Sequence, residues 1–553
     1  MIDKIHALWP EISLFAATCL IMILGVSRNV KVRNLCAPLA AASLALAGVL
    51  AITTTPAGAG ALPHMAEYGK AIAAVVGLLL LLAMTGLPDR EYEAMVARTG
   101  KFDPLRNTRG EFWSFFLFSI TGLMLCAGSE DLILLFLALE LTSLPTYIMV
   151  TMSTARNRSM EAGVKYFFLG ALGAATFLYG FALLYGATGT TNFAKMHLIL
   201  SEQVAAGGLS GIAIAGIVLS VLGICFKIAA VPMHFYTADV YQGGSASMSA
   251  FLAFVPKAAG FFALMLVLSA IGWTSASAGG AGHGQLPEPV HTILWVIAAL
   301  TMTIGNVLAI LQNSVKRILA YSSIAHSGYM LVGIIAGPGL DAASFSTNGL
   351  AAVLFYLLTY GVMGLGAFAV LASLERRAAD GVADEIDSVD DLRGLCQTAP
   401  VLGWTMVLSS VGLLGLPPLL GFFGKLPLFT AGIAAGEYAL VVILCVNSAI
   451  AAFYYLRLVW VCLLESPDLS KKASMTAAPF PLRNLAGTLS AVAVVGLGLS
   501  LFFWPLTQVA LRAGEYRAPR ATQPVSGAAE EQVPAKPVTV PEAEKVAAAK
   551  TPA

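Results

Sequence analysis

The sequence predicts an all-α polytopic membrane protein with about fourteen transmembrane helices, ten of them in two inverted five-helix repeats. Three observations predict this class. The chain is 58% hydrophobic and only 11% charged, whereas a soluble domain carries about 25% charged residues. Apolar segments of roughly 18 or more residues recur along its length. Prolines interrupt two of these segments at corresponding places in two blocks of five, which is typical of secondary transporters.

The composition also excludes several classes of function. A net charge of +1 gives no reason to expect a nucleic-acid partner. The seven cysteines form no CxxC pair, so we expect neither a disulfide framework nor a metal or iron–sulfur site. The first apolar segment is followed by Arg28, Lys31 and Arg33, which indicates a retained span rather than a cleaved signal peptide.

The apolar segments give the predicted spans and the organisation of the chain. The spans cover approximately 8–27, 35–53, 70–88, 112–128, 131–152, 163–186, 210–240, 246–271, 290–312, 318–337, 346–373, 399–430, 437–460 and 484–508. The predicted units are three N-terminal helices with a loop (1–110), a first repeat (111–272, spans 4–8), a second, inverted repeat (290–462, spans 9–13), a last helix (463–510) and a tail (511–553). The tail is rich in Ala, Pro, Glu, Lys and Val and lacks Phe and Trp, a composition that predicts disorder.

Basic residues predict the orientation of these spans. They gather in the loops that follow odd-numbered spans, whereas the other loops hold only Lys195, with Lys70 at the edge of span 3. Loops rich in Lys and Arg stay in the cytoplasm. We therefore expect both chain ends on the periplasmic side of a bacterial inner membrane.

Two spans are expected to be broken. Span 7 contains the sequence IAAVPMHF around Pro232, and span 12 contains GLLGLPPLLGFFGKLPLF around Pro417 and Pro418. A proline removes a backbone hydrogen bond, and in a bilayer the freed carbonyl groups need protein or water as partners. Each break therefore predicts a polar site inside the membrane.

Charged residues near mid-membrane are the candidate site residues. Lys227 precedes the first break, Lys257 follows Pro256 in span 8, and Glu140 lies within span 5. Charges at this depth are costly and usually functional, and a carboxylate becomes tolerable when it is paired with a lysine. We expect Glu140 and Lys227 to pair, although a lysine can also snorkel to the interface.

Lys425 is the matching candidate in span 12. The carbonyls freed by the two prolines, with water admitted beside Gly421 and Gly424, are expected to stabilise its ammonium group. The alternative is a lysine that snorkels to the outer surface. His234 and His326 are possible proton relays, because neutral imidazole accepts one proton and donates another. A packing role for each histidine remains open.

These residues carry a family resemblance. The stretches LALELTSLPTYIMV, FKIAAVPMHFYTADVYQG, KRILAYSSIAHSGYMLVG and GLPPLLGFFGKLPLF occur in this order. They resemble the antiporter-like membrane subunits of respiratory complex I, NADH:quinone oxidoreductase, over spans 4–13. Lys425 on span 12, where the M branch has a glutamate, and the lack of a lateral helix after the core spans favour the N branch over the M and L branches.

The resemblance implies a function and its residues. Glu140 and Lys227 would form a coupled pair, Lys257 a central relay and Lys425 a terminal relay of a proton path. The chain would hold no cofactor itself, because NADH, FMN, iron–sulfur clusters and quinone are bound by partner subunits. Its neighbours would be K-like and M-like membrane subunits and the lipid bilayer.

Two other functions remain open from the sequence. A subunit of a multi-subunit Na⁺/H⁺ antiporter shares the fold and the lysine motifs. A non-pumping membrane scaffold is the second alternative, but a scaffold gains nothing from three lysines and a glutamate buried in the membrane.

Overall fold

The structure is a computed structural model that describes residues 2–55, 60–87, 90–154, 157–273, 286–339, 344–377, 383–467, 475–477, 481–499 and 503–518. Residues 1–519 form one compact unit. The helices of the N-terminal part and the first block are α1 (Ile2–Ala7), α2 (Trp9–Gly25), α3 (Val30–Arg33), α4 (Cys36–Thr54), α5 (Met65–Met84), α6 (Arg90–Thr99), α7 (Arg109–Ala127), α8 (Leu132–Met152), α9 (Asn157–Thr188), α10 (Phe193–Ala205), α11 (Gly211–Lys227), α12 (Thr237–Gly243) and α13 (Ala246–Ile271).

The second block and the C-terminal part continue the helical architecture. Their helices are α14 (Glu288–Ile310), α15 (Val315–Ala336), α16 (Gly349–Ala372), α17 (Leu395–Thr398), α18 (Pro400–Leu414), α19 (Leu420–Ala434), α20 (Tyr438–Leu463), α21 (Pro481–Leu499) and α22 (Phe503–Ala513). Short 3₁₀ turns lie at Pro104–Arg106 and Val389–Leu392. Strands β1 (Leu374–Arg377), β2 (Ala383–Glu385) and β3 (Met475–Ala477) form a small antiparallel sheet in the order β2-β1-β3.

The helices confirm the predicted polytopic all-α class. Among the described residues, 11 helices are long and apolar enough to cross a membrane, and α2, α11, α18 and α19 are shorter apolar helices. Each predicted span contains at least one of these helices. The two predicted blocks also share their internal packing: α7 packs on α8 as α14 packs on α15, and α9 packs on α11 as α16 packs on α18 and α19.

Both predicted breaks are present. Span 7 is helical to Lys227 and again from Thr237, and span 12 is helical to Leu414 and again from Leu420. Each gap holds a cis X–Pro bond, before Pro232 and before Pro418. Pro256 in span 8 produces no break, and α13 continues through it as one helix. A proline in a helix costs a hydrogen bond but does not by itself end the helix when neighbouring helices enclose it.

Two helices form the centre of the molecule. Every residue of α13 and of α16 is buried, whereas α9 and α14 leave apolar side chains such as Phe168 and Leu300 exposed. The hydrophobicity of the sequence does not distinguish a helix enclosed by protein from one that faces lipid, because both surroundings are apolar. The candidate lysines lie around this enclosed centre.

Contacts between connections agree with the alternation of the spans. On one side, Arg33 after span 1 pairs with Glu93 after span 3 at 2.8 Å, and β1 after span 11 pairs with β3 after span 13. Burial by itself would raise the pKa of the Glu93 carboxyl. The guanidinium groups of Arg33 and Arg109 outweigh this effect, so the pKa of Glu93 is lowered. On the other side, His291 at the start of α14 contacts Glu437 before α20 at 2.6 Å. Connections predicted to share a side of the membrane therefore meet each other.

The N-terminal helices hold a buried ion pair that the sequence analysis missed. Lys70 Nζ lies 2.8 Å from Glu11 Oε1 and donates to the Ala7 carbonyl at 2.6 Å. Both charged side chains are almost fully buried, so Lys70 is an interior residue of α5 rather than an interfacial one. The pair ties α5 to α2.

The C-terminal part departs from the predicted single span and tail. Span 14 corresponds to two helices, α21 and α22, and the described structure extends to residue 518. Beyond α22, Gly514 accepts a hydrogen bond from Asn348 at 3.1 Å, and Arg517 N donates to Ala61 O at 2.8 Å. The Tyr516 ring packs edge-on against Trp273. The first residues assigned to the tail thus belong to the folded unit, and the remainder lies outside the described residues.

Candidate functional site

Glu140 and Lys227 come together as an ion pair between α8 and α11. Lys227 Nζ lies 3.2 Å from Glu140 Oε1 and donates to the Ser143 hydroxyl at 2.5 Å. Ser143 follows Glu140 by three residues and so shares its helix face. The lysine side chain is 2% exposed and the glutamate side chain 18% exposed. The lysine is an interior group of this chain and does not snorkel.

The first break is held by helices of the second block. Lys227 is the last residue of α11, and the next carbonyl, that of Ile228, accepts a hydrogen bond of 2.6 Å from the Ser327 hydroxyl of α15. Val231 N donates to the Thr301 hydroxyl of α14 at 3.0 Å. Backbone groups freed inside a membrane need such partners. The break is therefore a joint between the two blocks.

Lys257 lies at the centre of the molecule, on α13. Its ammonium group donates to the Ser323 hydroxyl at 2.9 Å, to the Ser327 hydroxyl at 3.0 Å and to the Ser323 carbonyl. It also lies 5.9 Å from the centre of the Tyr360 ring, within the range of a cation–π contact. Through Ser327, Lys257 is hydrogen-bonded to the first break, although no acidic side chain contacts it among the described residues.

His326 occupies the same buried face of α15. Its Nδ1 pairs with the Tyr356 hydroxyl at 2.5 Å and its Nε2 with the Tyr455 hydroxyl at 2.9 Å. The Tyr455 hydroxyl also pairs with Ser322. Both ring nitrogens thus have a hydroxyl partner, and the charges of Lys257 and Lys425 both act on the ring. This arrangement suits an imidazole that accepts a proton at one nitrogen and releases one from the other.

Lys425 lies beyond the second break, on α19. Its ammonium group donates to the Leu414 carbonyl at 2.8 Å and lies 5.0 Å from the centre of the Tyr329 ring. The residue is 4% exposed, so it does not snorkel to the outer surface. The last carbonyls of a helix have no partner within the helix and carry partial negative charge. The end of α18 therefore supplies a free backbone carbonyl to the Lys425 ammonium group, as predicted from the two prolines.

The two glycines near Lys425 have a different role from the one expected. A Cβ on Gly421 would lie 1.8 Å from the Gly412 carbonyl oxygen, and one on Gly424 would lie 2.7 Å from the Thr359 hydroxyl. Backbone and side chains therefore fill the space that was assigned to water. These glycines allow α19 to pack closely on α18 and α16.

His234 stands apart from the other candidates. It lies in the first break, between α11 and α12, and is buried. Within the described ranges, no hydrogen bond links its ring to Glu140, Lys227, Lys257 or Lys425, and its Nδ1 has no hydrogen-bond partner. Among the residues that the structure describes, His326 reaches the lysines only through rings, since it packs against Tyr360 beside Lys257 and against Tyr329 beside Lys425. In the same part of the chain, His234 has no such contact.

Several polar groups of the site were missed from the sequence. Tyr356 and Tyr360 are spaced as neighbours on one face of α16, and Tyr455 is inside α20. Asn306 of α14 donates to the Tyr329 hydroxyl at 2.9 Å and accepts from Tyr454 at 2.9 Å. An asparagine in the middle of an apolar span was the available signal. Tyrosine gives a weaker one, because its ring packs equally well without a role for the hydroxyl.

The arrangement combines lysines, an imidazole and hydroxyl groups in a buried interior. Hydroxyl groups both donate and accept, so they can pass protons between titratable groups. Within the ranges that the structure describes, no three His, Cys, Asp or Glu side chains are grouped as metal ligands. The groups that are present suit the movement of protons.

Comparisons with known proteins assign the chain to a family. Residues 129–451 match the family model described as NADH:quinone oxidoreductase/Mrp antiporter, TM. NADH-quinone oxidoreductase subunit N of Salinibacter ruber is 37% identical over 437 residues, which are 78% of this chain and 81% of the relative. Subunit N of Herminiimonas arsenicoxydans is 32% identical over 510 residues, 90% and 95% of the two chains.

A solved structure extends the similarity to three dimensions. A chain of respiratory complex I from Thermus thermophilus superposes with a TM-score of 0.70 at 30% identity, covering 91% of this chain and 99% of that one. The chain therefore belongs to the NADH:quinone oxidoreductase/Mrp antiporter membrane family, in its subunit N branch.

Proposed function

We propose that this chain is the proton-translocating membrane-arm subunit N of a NADH:quinone oxidoreductase, with Glu140 and Lys227 as the coupled pair, Lys257 as the central relay and Lys425 as the terminal relay. One observation carries the proposal. Helix α15, which is buried along nearly its whole length, contacts Lys257 through Ser323 and Ser327, holds His326, and brings Tyr329 under Lys425. Titratable groups of both blocks thus meet along one helix.

The ion pair at Glu140 is the control point of this path. A nearby carboxylate favours the charged form of a lysine, whereas burial disfavours it. When Glu140 moves away or is neutralised, Lys227 loses the partner that stabilises its proton. The charge of Lys227 acts on the interior next to the first break, and the Ile228 carbonyl of that break is tied to Ser327, a ligand of Lys257.

The relay from Lys257 to Lys425 runs along α15. Lys257 releases its proton toward the serine and tyrosine hydroxyls around it, and His326 accepts at one nitrogen while it donates from the other. Lys425 then receives the charge beside the Leu414 carbonyl. Each transfer breaks one N–H or O–H bond on the donor and forms one on the acceptor, and each group returns to its starting protonation state after one proton has passed.

The rest of the enzyme lies outside this chain. NADH oxidation and quinone reduction belong to partner subunits, and this subunit converts their signal into proton movement. Its neighbours in the membrane arm would be K-like and M-like subunits. The basic loops support an orientation with both chain ends on the periplasmic side of the inner membrane.

Reconstituted complex that carries Lys257→Ala tests this function. We expect assembled complex that oxidises NADH but translocates fewer protons per NADH than the wild type. A full ratio would contradict the proposal and favour a scaffold. Purification of the intact assembly distinguishes a complex I subunit from an Na⁺/H⁺ antiporter subunit. In complex I, flavin- and iron–sulfur-containing partners co-purify with this chain, whereas in an antiporter none do.

A further inference from the structure

A second cluster of charged residues surrounds the point where α12, α13 and α15 begin or end. Lys316 Nζ lies 2.9 Å from Glu385 Oε2 and donates to the Gly244 carbonyl at 3.0 Å. The same carboxylate oxygen accepts from Ala246 N at 2.6 Å. The Lys316 side chain is 7% exposed and that of Glu385 14% exposed. We call Lys316 and Glu385 the entry pair.

The entry pair lies on the side of the chain where basic loops gather. Lys316 follows span 9 and Glu385 follows span 11, and both connections are predicted to be cytoplasmic. Glu385 retains contact with solvent, while Lys316 is nearly closed off from it. The pair therefore stands between the cytoplasmic solvent and the interior.

Lys316 shares its helix face with the ligands of Lys257. Ser323 follows it by seven residues and Ser327 by eleven, spacings that repeat on one face of an α-helix. Seven residues of helix span about 10.5 Å. The gap between the entry pair and the Lys257 site is thus two helical turns long.

Tyr241 lies beside this gap, because α12 packs on α15. It is a buried residue of α12, three positions before Gly244, and its side chain interacts with that of Ser323. Ser249 fixes the local backbone by donating to the Tyr241 carbonyl at 2.8 Å. A phenol hydroxyl can accept a proton from one side and donate its own to the other.

We propose, as an extension of the proposed function on which it rests, that the entry pair and Tyr241 form the cytoplasmic proton entry to Lys257. Glu385 takes a proton from the solvent and exchanges it with Lys316. Tyr241 passes its hydroxyl proton to Ser323 and regains one from the side of Lys316, and the Ser323 hydroxyl delivers a proton to neutral Lys257. One proton enters, one reaches Lys257, and every intermediate group is restored.

Two variants test the entry in the assembled complex. Tyr241→Phe keeps the ring and removes only the hydroxyl, and Lys316→Arg keeps the ion pair and the bond to Gly244 but holds its proton too firmly to exchange it. We expect each to lose as much proton translocation per NADH as Lys257→Ala loses. Asp239→Asn is the matched control, because Asp239 makes a nearby ion pair with Arg317 and its own side chain is 45% exposed. This variant should pump at the wild-type ratio.

The outcomes distinguish failure of the entry from failure of the proposed proton-translocation function on which it rests. If Lys257→Ala pumps normally, the proposed function fails and the entry fails with it. If Lys257→Ala is impaired while Tyr241→Phe and Lys316→Arg pump at the full ratio, only the entry is overturned. A purely structural ion pair predicts a harmless Lys316→Arg, so this variant decides alone if Tyr241→Phe does not assemble.

Discussion

Lys425 donates its hydrogen bond to the carbonyl of Leu414, the last residue of α18, across the second break at 2.8 Å. Lys227, beside the first break, instead has a carboxylate partner, Glu140. The two lysines are therefore stabilised differently. A backbone carbonyl neither titrates nor changes rotamer, whereas a glutamate side chain can do both, so only Lys227 has a partner of that kind.

Substitution of Lys425 by arginine should lower proton translocation as much as substitution by alanine. Arginine keeps the charge next to Leu414 but does not release its proton in proteins. The measurement is the number of protons moved per NADH oxidised by reconstituted complex. Lys165→Arg, at a surface position that is 45% exposed, is the control and should have no effect. Full pumping by Lys425→Arg would remove Lys425 from the path.

Glu140→Ala and Lys227→Ala should each impair pumping in a complex that still assembles. Loss of either partner leaves the other charge without its counterion in a poorly solvated place. Glu161→Ala, which removes an exposed carboxylate from a surface pair, serves as the reference variant. Wild-type proton ratios for both alanine variants would show that the pair has no part in translocation.

The buried pair between Glu11 and Lys70 should matter for stability rather than for pumping. Removing one partner of a buried ion pair typically costs about 3–5 kcal/mol, whereas replacing both by apolar residues of similar volume can be neutral. We expect Glu11→Leu or Lys70→Met alone to lower the thermal inactivation temperature of the purified complex. The double variant should recover most of the loss. Two single effects that simply add would contradict this coupling.

The orientation can be mapped with single cysteines in a cysteine-free background. Lys101→Cys and Arg393→Cys should react with a membrane-impermeant reagent from the cytoplasmic side. Lys195→Cys should react from the periplasmic side. These positions lie in connections whose sides follow from the basic-residue pattern. Labelling of all three from one side would mean that an even number of spans separates Lys195 from each of the other two positions, against the odd number predicted.

Much of the fold was predictable because it follows from local chemistry. Spanning length and apolar composition predict the helices, and proline predicts the breaks near Pro232 and Pro417, where the backbone loses donors. The meeting of Glu140 with Lys227 was predictable because an isolated charge is too costly at that depth. Pro256 shows the limit of local reasoning, since enclosure by neighbouring helices lets α13 continue through it.

The partners of the central groups could not be predicted. The two ring nitrogens of His326 contact hydroxyls from α16 and α20, the second of them 129 residues away. Such contacts depend on how the helices pack, and a tyrosine in an apolar span looks the same whether its hydroxyl is used or not. The interior position of Lys70 was missed for the same reason, because Glu11 lies 59 residues earlier.

The segment after α22 has a practical consequence for handling the protein. Three separate connections hold this segment in place: Asn348 contacts Gly514, Trp273 contacts Tyr516, and Ala61 contacts Arg517. An affinity tag or fluorescent fusion joined before residue 518 would replace these contacts with foreign sequence and loosen three connections at once. A fusion joined after residue 519 leaves these contacts intact, so an affinity tag should be attached there.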